Sequence, residues 1–158
     1  MTRPLEHVAN YPRPPRLERE ERRIRIVLGG QTIADTTEAW RVLETTHPPS
    51  YYLPPSAFAP GTLVASSGRG SVCEWKGRAV YWTLQAGGRT ATDAGWSYPT
   101  PTAAFVPIAD HIAVYAGAMD SCFVGDERVT PQPGGFYGGW ITAELVGPFK
   151  GGPGTEFW

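Results

Sequence analysis

A chain of 158 residues is the size of one domain and can bury roughly two-thirds of the surface that its unfolded form exposes. Nineteen glycines, sixteen prolines and only 18% charged residues disfavour long helices and favour short strands joined by tight turns. A net charge of −1 leaves no electrostatic footprint for nucleic acid, and no apolar run approaches the ~18 residues that a membrane-spanning helix needs.

Residues 1–22 read as a Pro-rich, charged arm. Pro4, Pro12, Pro14 and Pro15 keep its first part extended, with no element of its own. The mixed-sign run Leu17-Glu18-Arg19-Glu20-Glu21-Arg22-Arg23 then serves as a solvated lead-in to a strand, since its acids and bases nearly cancel. Met1–His7 lacks the basic and apolar regions of a secretion signal. Cys73 and Cys122, far apart, make no disulfide framework, so a reducing, cytoplasmic location is expected.

Residues 23–130 carry the strand signals. Ile24, Ile26 and Leu28 alternate with Arg25 and Val27, a half-buried strand, and Gly29-Gly30 turns it into Gln31-Thr32-Ile33-Ala34. Thr36–Glu44 fits either a short helix capped by Thr37 or a strand with Trp40 and Val42 against Arg41, and the strand is favoured because no glycine or proline interrupts it before Pro48. Proline pairs on both sides place Ser50-Tyr51-Tyr52-Leu53 at a sheet edge. Pro60-Gly61 is a turn, Leu63-Val64 a short strand, and Ser66–Ser71 a flexible loop.

The stretch from Val72 to Trp82 gathers a thiol, a carboxylate, an amine and aromatic rings around Gly77. At period 2, Cys73 and Trp75 share one face and Glu74 and Lys76 the other, and Gly77 marks a bend where one sheet wraps into the next. Beyond it, Ala79 and Tyr81 face one side, and Val80, Trp82 and Leu84 the other. Gly87-Gly88 closes a hairpin, Asp93–Pro99 is a turn-rich aromatic cluster, and a proline-broken loop runs to Pro107. Ile112–Tyr115 and Cys122-Phe123-Val124 are the closing strands, with Gly125-Asp126 turning into Glu127-Arg128-Val129. Residues 131–158 are rich in glycine, proline and rings, an ordered wrap packed on the domain or on a second subunit.

Val27-Leu28-Gly29-Gly30 with Ile33-Ala34-Asp35, His47-Pro48-Pro49, Tyr51-Tyr52-Leu53-Pro54, Cys73-Glu74-Trp75-Lys76-Gly77 and Trp96-Ser97-Tyr98-Pro99 occur in an order that resembles the bacterial domain-of-unknown-function family 427, in its actinobacterial form. The resemblance implies a β-tent fold, two antiparallel sheets meeting at an angle, similar to the methionine-R-sulfoxide reductases and the ligand-binding domain of cereblon. Many β-tents hold zinc on two Cys-x-x-Cys knuckles; this sequence has none, so a metal-free junction held by packing is expected. The family has been grouped with nucleotidyltransferases, whose chemistry calls for a Gly-Ser loop and paired carboxylates, whereas Asp35, Asp93, Asp110, Asp120 and Asp126 stand singly.

Cys73 beside Lys76 is a candidate nucleophile; the plainer alternative is a small core residue. Lys76 is a candidate for binding a carboxylate or phosphate or for a Schiff base, against a surface pair with Glu74. His47 is a candidate general base with Tyr51 and Tyr52 on its wall, or a turn residue bonded to a backbone carbonyl. Trp75, Tyr81, Trp82, Trp96 and Tyr98 would make an aromatic cage or simply a core. Neither Cys73, Cys122, His47 and His111 nor the glycine clusters have the spacing of a zinc site or a phosphate loop.

The expectation is therefore a small-molecule-binding domain without cofactor, its pocket lined by Tyr52, Trp75, Lys76, Tyr81, Trp96 and Tyr98 at the sheet junction. One alternative is a small enzyme using Cys73 or Lys76 with His47 or Asp93 as acid or base; another is a homodimeric interaction module built on the arm and the C-terminal segment.

Overall fold

The computed structural model describes residues 4–73, 76–133 and 138–151, with side chains for all of these except 67–73. The chain begins with β1 (Glu6–His7), a 3-10 turn at Val8–Asn10 and β2 (Arg16–Glu20). There follow β3 (Ile24–Leu28), β4 (Gln31–Thr36), β5 (Ala39–Leu43) and β6 (Ser50–Tyr52). Three long strands come next: β7 (Leu63–Cys73), β8 (Gly77–Ala86) and β9 (Arg89–Ser97). A 3-10 segment at Ala103–Ile108 leads to β10 (Ala113–Val114), then β11 (Ser121–Val124) and β12 (Glu127–Arg128). The short strands β13 (Thr130–Pro131), β14 (Trp140–Ile141) and β15 (Leu145–Val146) complete the described chain.

The fold is mostly β, with antiparallel sheets in the orders β10-β9-β8-β7, β12-β11-β3-β4 and β2-β5-β6. Among the described residues no helix is long and apolar enough to cross a membrane. In β3, Ile24, Ile26 and Leu28 are fully buried, and Gly29 and Gly30 turn into β4 with φ of 60° and 74°, the positive pair that a tight hairpin needs. Gly87 and Gly88 do the same between β8 and β9. The edge position of β6 and the β11–β12 hairpin also stand as expected.

Four local expectations are corrected. Ser66–Ser71 is no loop: β7 runs unbroken to Cys73 and absorbs the extra residues in a wide bulge, where Ala65 faces Trp82 and Gly70 faces Val80. Gly77 is no sheet junction, since Cys73 pairs with Gly77 across a β7–β8 hairpin inside one sheet. Most of Asp93–Pro99 lies in β9, because pairing with β8 and β10 outweighs the local turn signals; Asp93, at φ 53°, falls where the β8–β9 register shifts. Arg16–Glu20 is a paired strand along β5, and its charges are not simply solvated.

Glu20 is 4% exposed and Arg41 2%. Arg41 forks onto both oxygens of Glu6 at 3.1 and 2.9 Å and also reaches Glu18, while Arg22 spans Glu20 and Glu144. Arg41 thus faces protein and not solvent, as a guanidinium tolerates only when carboxylates meet it.

Strand alternation divides the interior in two. Tyr51 joins a core of Ile24, Ile26, Leu28, Ile33, Leu84, Ile112, Val124 and Trp140. Its neighbour Tyr52, pointing the other way, joins Tyr81, Trp96, Tyr98, Phe105 and Ile108. Residues Ala79 and Tyr81 of β8 serve the second core while Leu84 and Trp82 serve the first, the two-sided pattern that the sequence shows.

The two glycine hairpins touch tip to tip. A Cβ on Gly87 would overlap the Gly29 carbonyl oxygen, whereas one on Gly88 would meet nothing within 4 Å. Both have positive φ, 55° and 79°. Gly88→Ala should therefore cost only the left-handed backbone penalty, about 1 kcal/mol, and Gly87→Ala at least about 2 kcal/mol more, as read by urea unfolding. Equal losses would show that the hairpin tips do not bear on each other in solution.

Candidate functional site

Beyond β5 the chain makes a turn in which the His47 N–H donates to the Glu44 carbonyl at 3.0 Å. Thr46 within it has a φ of 66°, a conformation that a β-branched residue adopts only when its surroundings enforce it. Segments at Val8 and Lys150 supply that force. The Thr46 N–H donates to the Val8 carbonyl at 2.9 Å, and the Thr46 carbonyl accepts from the Lys150 N–H at 2.8 Å. The Thr45 hydroxyl donates to the Tyr11 carbonyl and the Thr46 hydroxyl to the Thr45 carbonyl.

His47 is oriented by a buried amide. Gln132 is 5% exposed, and its Oε1 accepts the Gly139 N–H at 3.0 Å while its Nε2 donates to the Lys150 carbonyl at 2.9 Å. These backbone partners have fixed polarity, so they settle which end of the amide is which. Nε2 must then also be the donor in its 3.1 Å contact with His47 Nδ1. Nδ1 accepts, and the neutral ring carries its proton on Nε2.

That Nε2 faces Glu44 Oε2 at 3.8 Å, longer than a hydrogen bond. The other oxygen of Glu44 lies 3.5 Å from Lys76 Nζ, whose side chain is 11% exposed. Burial holds the His47 pKa below the ordinary imidazole value, and the ammoniums of Lys150 and Lys76 act in the same sense against the pull of Glu44. The result is a neutral imidazole, a carboxylate and an ammonium in one row. Its His47–Glu44 end opens onto a cavity of about 180 Å³ lined by Arg13, Pro15, Glu44, Thr45, Thr46, His47 and Lys150.

Of the residues singled out from the sequence, His47 and Lys76 come together here, through Glu44. Tyr52, Tyr81, Trp96 and Tyr98 also converge, as a packed cluster at most 8% exposed. Trp96 Nε1 donates to the Tyr52 hydroxyl at 3.1 Å, and the two rings meet edge to face. Asp93 lies far away: its N–H meets Thr83 Oγ1, six strand residues beyond Gly77, or about 20 Å at ~3.3 Å per residue, so it is no acid or base for Lys76. Trp75 and the side chain of Cys73 lie outside the described residues. Cys122 is a buried free thiol in the first core, where burial raises its pKa. Among the described residues no group of three or more His, Cys, Asp or Glu is placed to hold a metal ion.

Sequence reasoning missed Glu44, Gln132, Lys150 and Arg13. Glu44 carried one usable signal, its position three residues before His47. Gln132, between two prolines in the Gly/Pro-rich segment, carried none.

The buried neutral ring sets a pH dependence. An unfolded His47 binds a proton near pH 6.5 and the folded one only at lower pH, so the unfolded state holds more protons in that window. His47 should therefore contribute a loss of stability as pH falls through about 6.5, complete once the folded ring also protonates. Urea unfolding of the wild type and of His47→Gln between pH 8 and 5 checks this: the variant should have the flatter profile. Nitrogen-15 shifts should report the Nε2–H tautomer at pH 7.

The family model described as a domain of unknown function (DUF427) matches residues 16–125. No curated protein matches the chain. The matched span contains Glu44, His47, Lys76 and the aromatic cluster, while Arg13, Gln132 and Lys150 lie in the flanks. With well over half of its length matched, the chain belongs to the DUF427 family of domains of unknown function.

Proposed function

We propose that this chain binds a small polar molecule in the crevice at the Glu44–His47 turn, with the aromatic cluster as a rigid wall behind it. The observation that carries the reading is Gln132. A buried carboxamide fixes the tautomer and orientation of a ring on the edge of a polar cavity, an arrangement that core packing does not require. Tyr52, Tyr81, Trp96 and Tyr98 support it indirectly: β5 places Val42 in their cluster two residues before Glu44, so the turn leaves a densely packed base.

Cavity size bounds the ligand. About 180 Å³ is below the ~300–1,000 Å³ typical of sites for drug-sized molecules, so the occupant is fragment-sized, a few carbons with their polar groups. A screen of such metabolites by thermal shift, followed by amide chemical-shift mapping, tests this. Binders should raise the melting temperature and move the resonances of Thr45, Thr46, His47 and Lys150. A screen in which no compound moves those resonances removes the reading.

A second reading has its own observation. Glu44 stands between Lys76 at 3.5 Å and His47 at 3.8 Å, within reach of a proton relay across a bound molecule. On this reading His47 donates through Nε2 and the chain is an acid–base enzyme. Incubating a bound hit with the protein and following it by proton NMR checks this. Conversion lost in His47→Gln while binding persists supports catalysis, and an unchanged ligand leaves binding alone.

A further inference from the structure

We infer that the groove between the two glycine hairpins is a second binding site, and that it takes a neutral, polyhydroxylated molecule, a mono- or disaccharide. The groove holds about 410 Å³, within the ~300–1,000 Å³ usual for small-molecule sites, and shares no lining residue with the Glu44–His47 crevice. Gln31 of β4, residues 85–90 of the β8–β9 hairpin and the turn at 59–62 before β7 line it.

These three pieces are tied to one another. The Ala59 N–H donates to the Ile33 carbonyl at 2.8 Å, the Thr62 N–H to the Ala59 carbonyl at 3.2 Å and the Gln85 N–H to the Thr62 carbonyl at 3.0 Å. Asp120 joins the hairpins: one oxygen accepts the Gly30 N–H at 2.8 Å and the other lies 3.3 Å from Arg89 Nη1. With the Gly29–Gly87 contact, these bonds set the shape of the groove in advance, so little ordering is left for a ligand to impose. They also engage the backbone of the turn and of Gln85. Recognition therefore falls to side chains, unlike the backbone pairing that holds an extended peptide.

Thr62 carries the inference. It is 3% exposed, yet its hydroxyl makes no hydrogen bond among the described residues. The sealed side-chain atoms without a partner are Arg25 Nε and Thr142 Oγ1, so the Thr62 oxygen keeps an opening, and the groove that it lines is that opening. A buried hydroxyl without a partner is costly, and a ligand hydroxyl answers it as donor or as acceptor. The carboxamide of Gln31 likewise has no hydrogen bond among the described residues. Gln85 gives an amide proton to the Gly61 carbonyl at 3.2 Å, which identifies its Oε1 as the acceptor end left for a ligand.

Charge narrows the class. Arg89 is the one charged residue among the described lining, and Asp120 offsets it, so an ionic ligand meets no unbalanced charge. Carboxamides and threonine hydroxyls both donate and accept, as each hydroxyl of a sugar does, whereas an oxyanion only accepts and would meet the Gln85 oxygen. Ala59, Pro60 and Ala86 add apolar surface for the C–H face of a ring. A Cβ on Gly61 or Gly88 would meet nothing within 4 Å, so the space beside both glycines is open.

Amide-shift titration of the full chain with glucose, galactose, mannose, maltose and cellobiose tests the inference, with malonamide as a neutral probe that carries amides in place of hydroxyls. At least one saccharide should move the resonances of Gly61, Thr62, Gln85 and Gly88, with saturation in the millimolar range. Thr62→Val and, at an exposed position, Gln31→Met should each weaken that saccharide about three- to tenfold, the worth of one hydrogen bond. Thr62→Val should unfold in urea no earlier than the wild type, because the hydroxyl that it removes holds nothing in the fold. The assignment falls if no saccharide moves these resonances, if malonamide moves them as strongly, or if either variant, folded, binds the saccharide as the wild type does.

Discussion

One carboxamide holds the site together. Gln132 spends its oxygen on the Gly139 N–H and its two protons on His47 Nδ1 and the Lys150 carbonyl. The His47 turn and two points of the C-terminal segment are thereby fixed to one planar group. An apolar residue in its place would strand a buried amide N–H, a carbonyl and a ring nitrogen, each costing about 1–3 kcal/mol when left unsatisfied. Gly139 is part of the same fit: a Cβ there would overlap Pro48 as well as the Gln132 oxygen, so the C-terminal segment can lie against the His47-Pro48-Pro49 loop only as glycine.

The described N- and C-terminal segments are structural parts of the domain. β1 pairs with β15, and Trp140 stacks on Tyr51 at 5.0 Å while its Nε1 donates to the Val114 carbonyl. The arm is fixed by ions, Arg41 gripping Glu6 and Glu18, with the Tyr11 hydroxyl donating to Glu6 at 2.6 Å. Such buried pairs add little net stability over apolar packing, but breaking one leaves an uncompensated charge, so they define position more than strength. What they position is the ground beneath Arg13 and the Thr45–Thr46 turn. The crevice is thus a joint product of the family domain and its flanks, and side chains outside the family match stand at its rim.

The aromatic excess has a different role from the one its composition suggests. Tyr52, Tyr81, Trp96 and Tyr98 are gathered as expected, and within the cluster the Trp96 N–H is matched to the Tyr52 hydroxyl. Rings that satisfy one another in this way form a stiff, dry support. The polar chemistry sits one step away along β5, where the chain leaves that support and turns.

Several parts of this protein are written locally and were legible in the sequence. The alternation of Ile24, Ile26 and Leu28, the paired glycines at two hairpins and the proline-bracketed edge at Tyr51-Tyr52 each depend on neighbours a few residues apart. His47 and Lys76 stood out by residue type. Tertiary contact decided the rest. Pairing on both sides made Asp93–Ser97 a strand, and a long partner in β8 carried β7 through Ser66–Ser71. A buried salt bridge turned Arg41 inward, and Gln132 met His47 across 85 residues. Alternation and turn chemistry are short-range and survive in a string of letters, whereas a hydrogen bond between distant segments exists only once the sheets have brought them within 3 Å or so of each other.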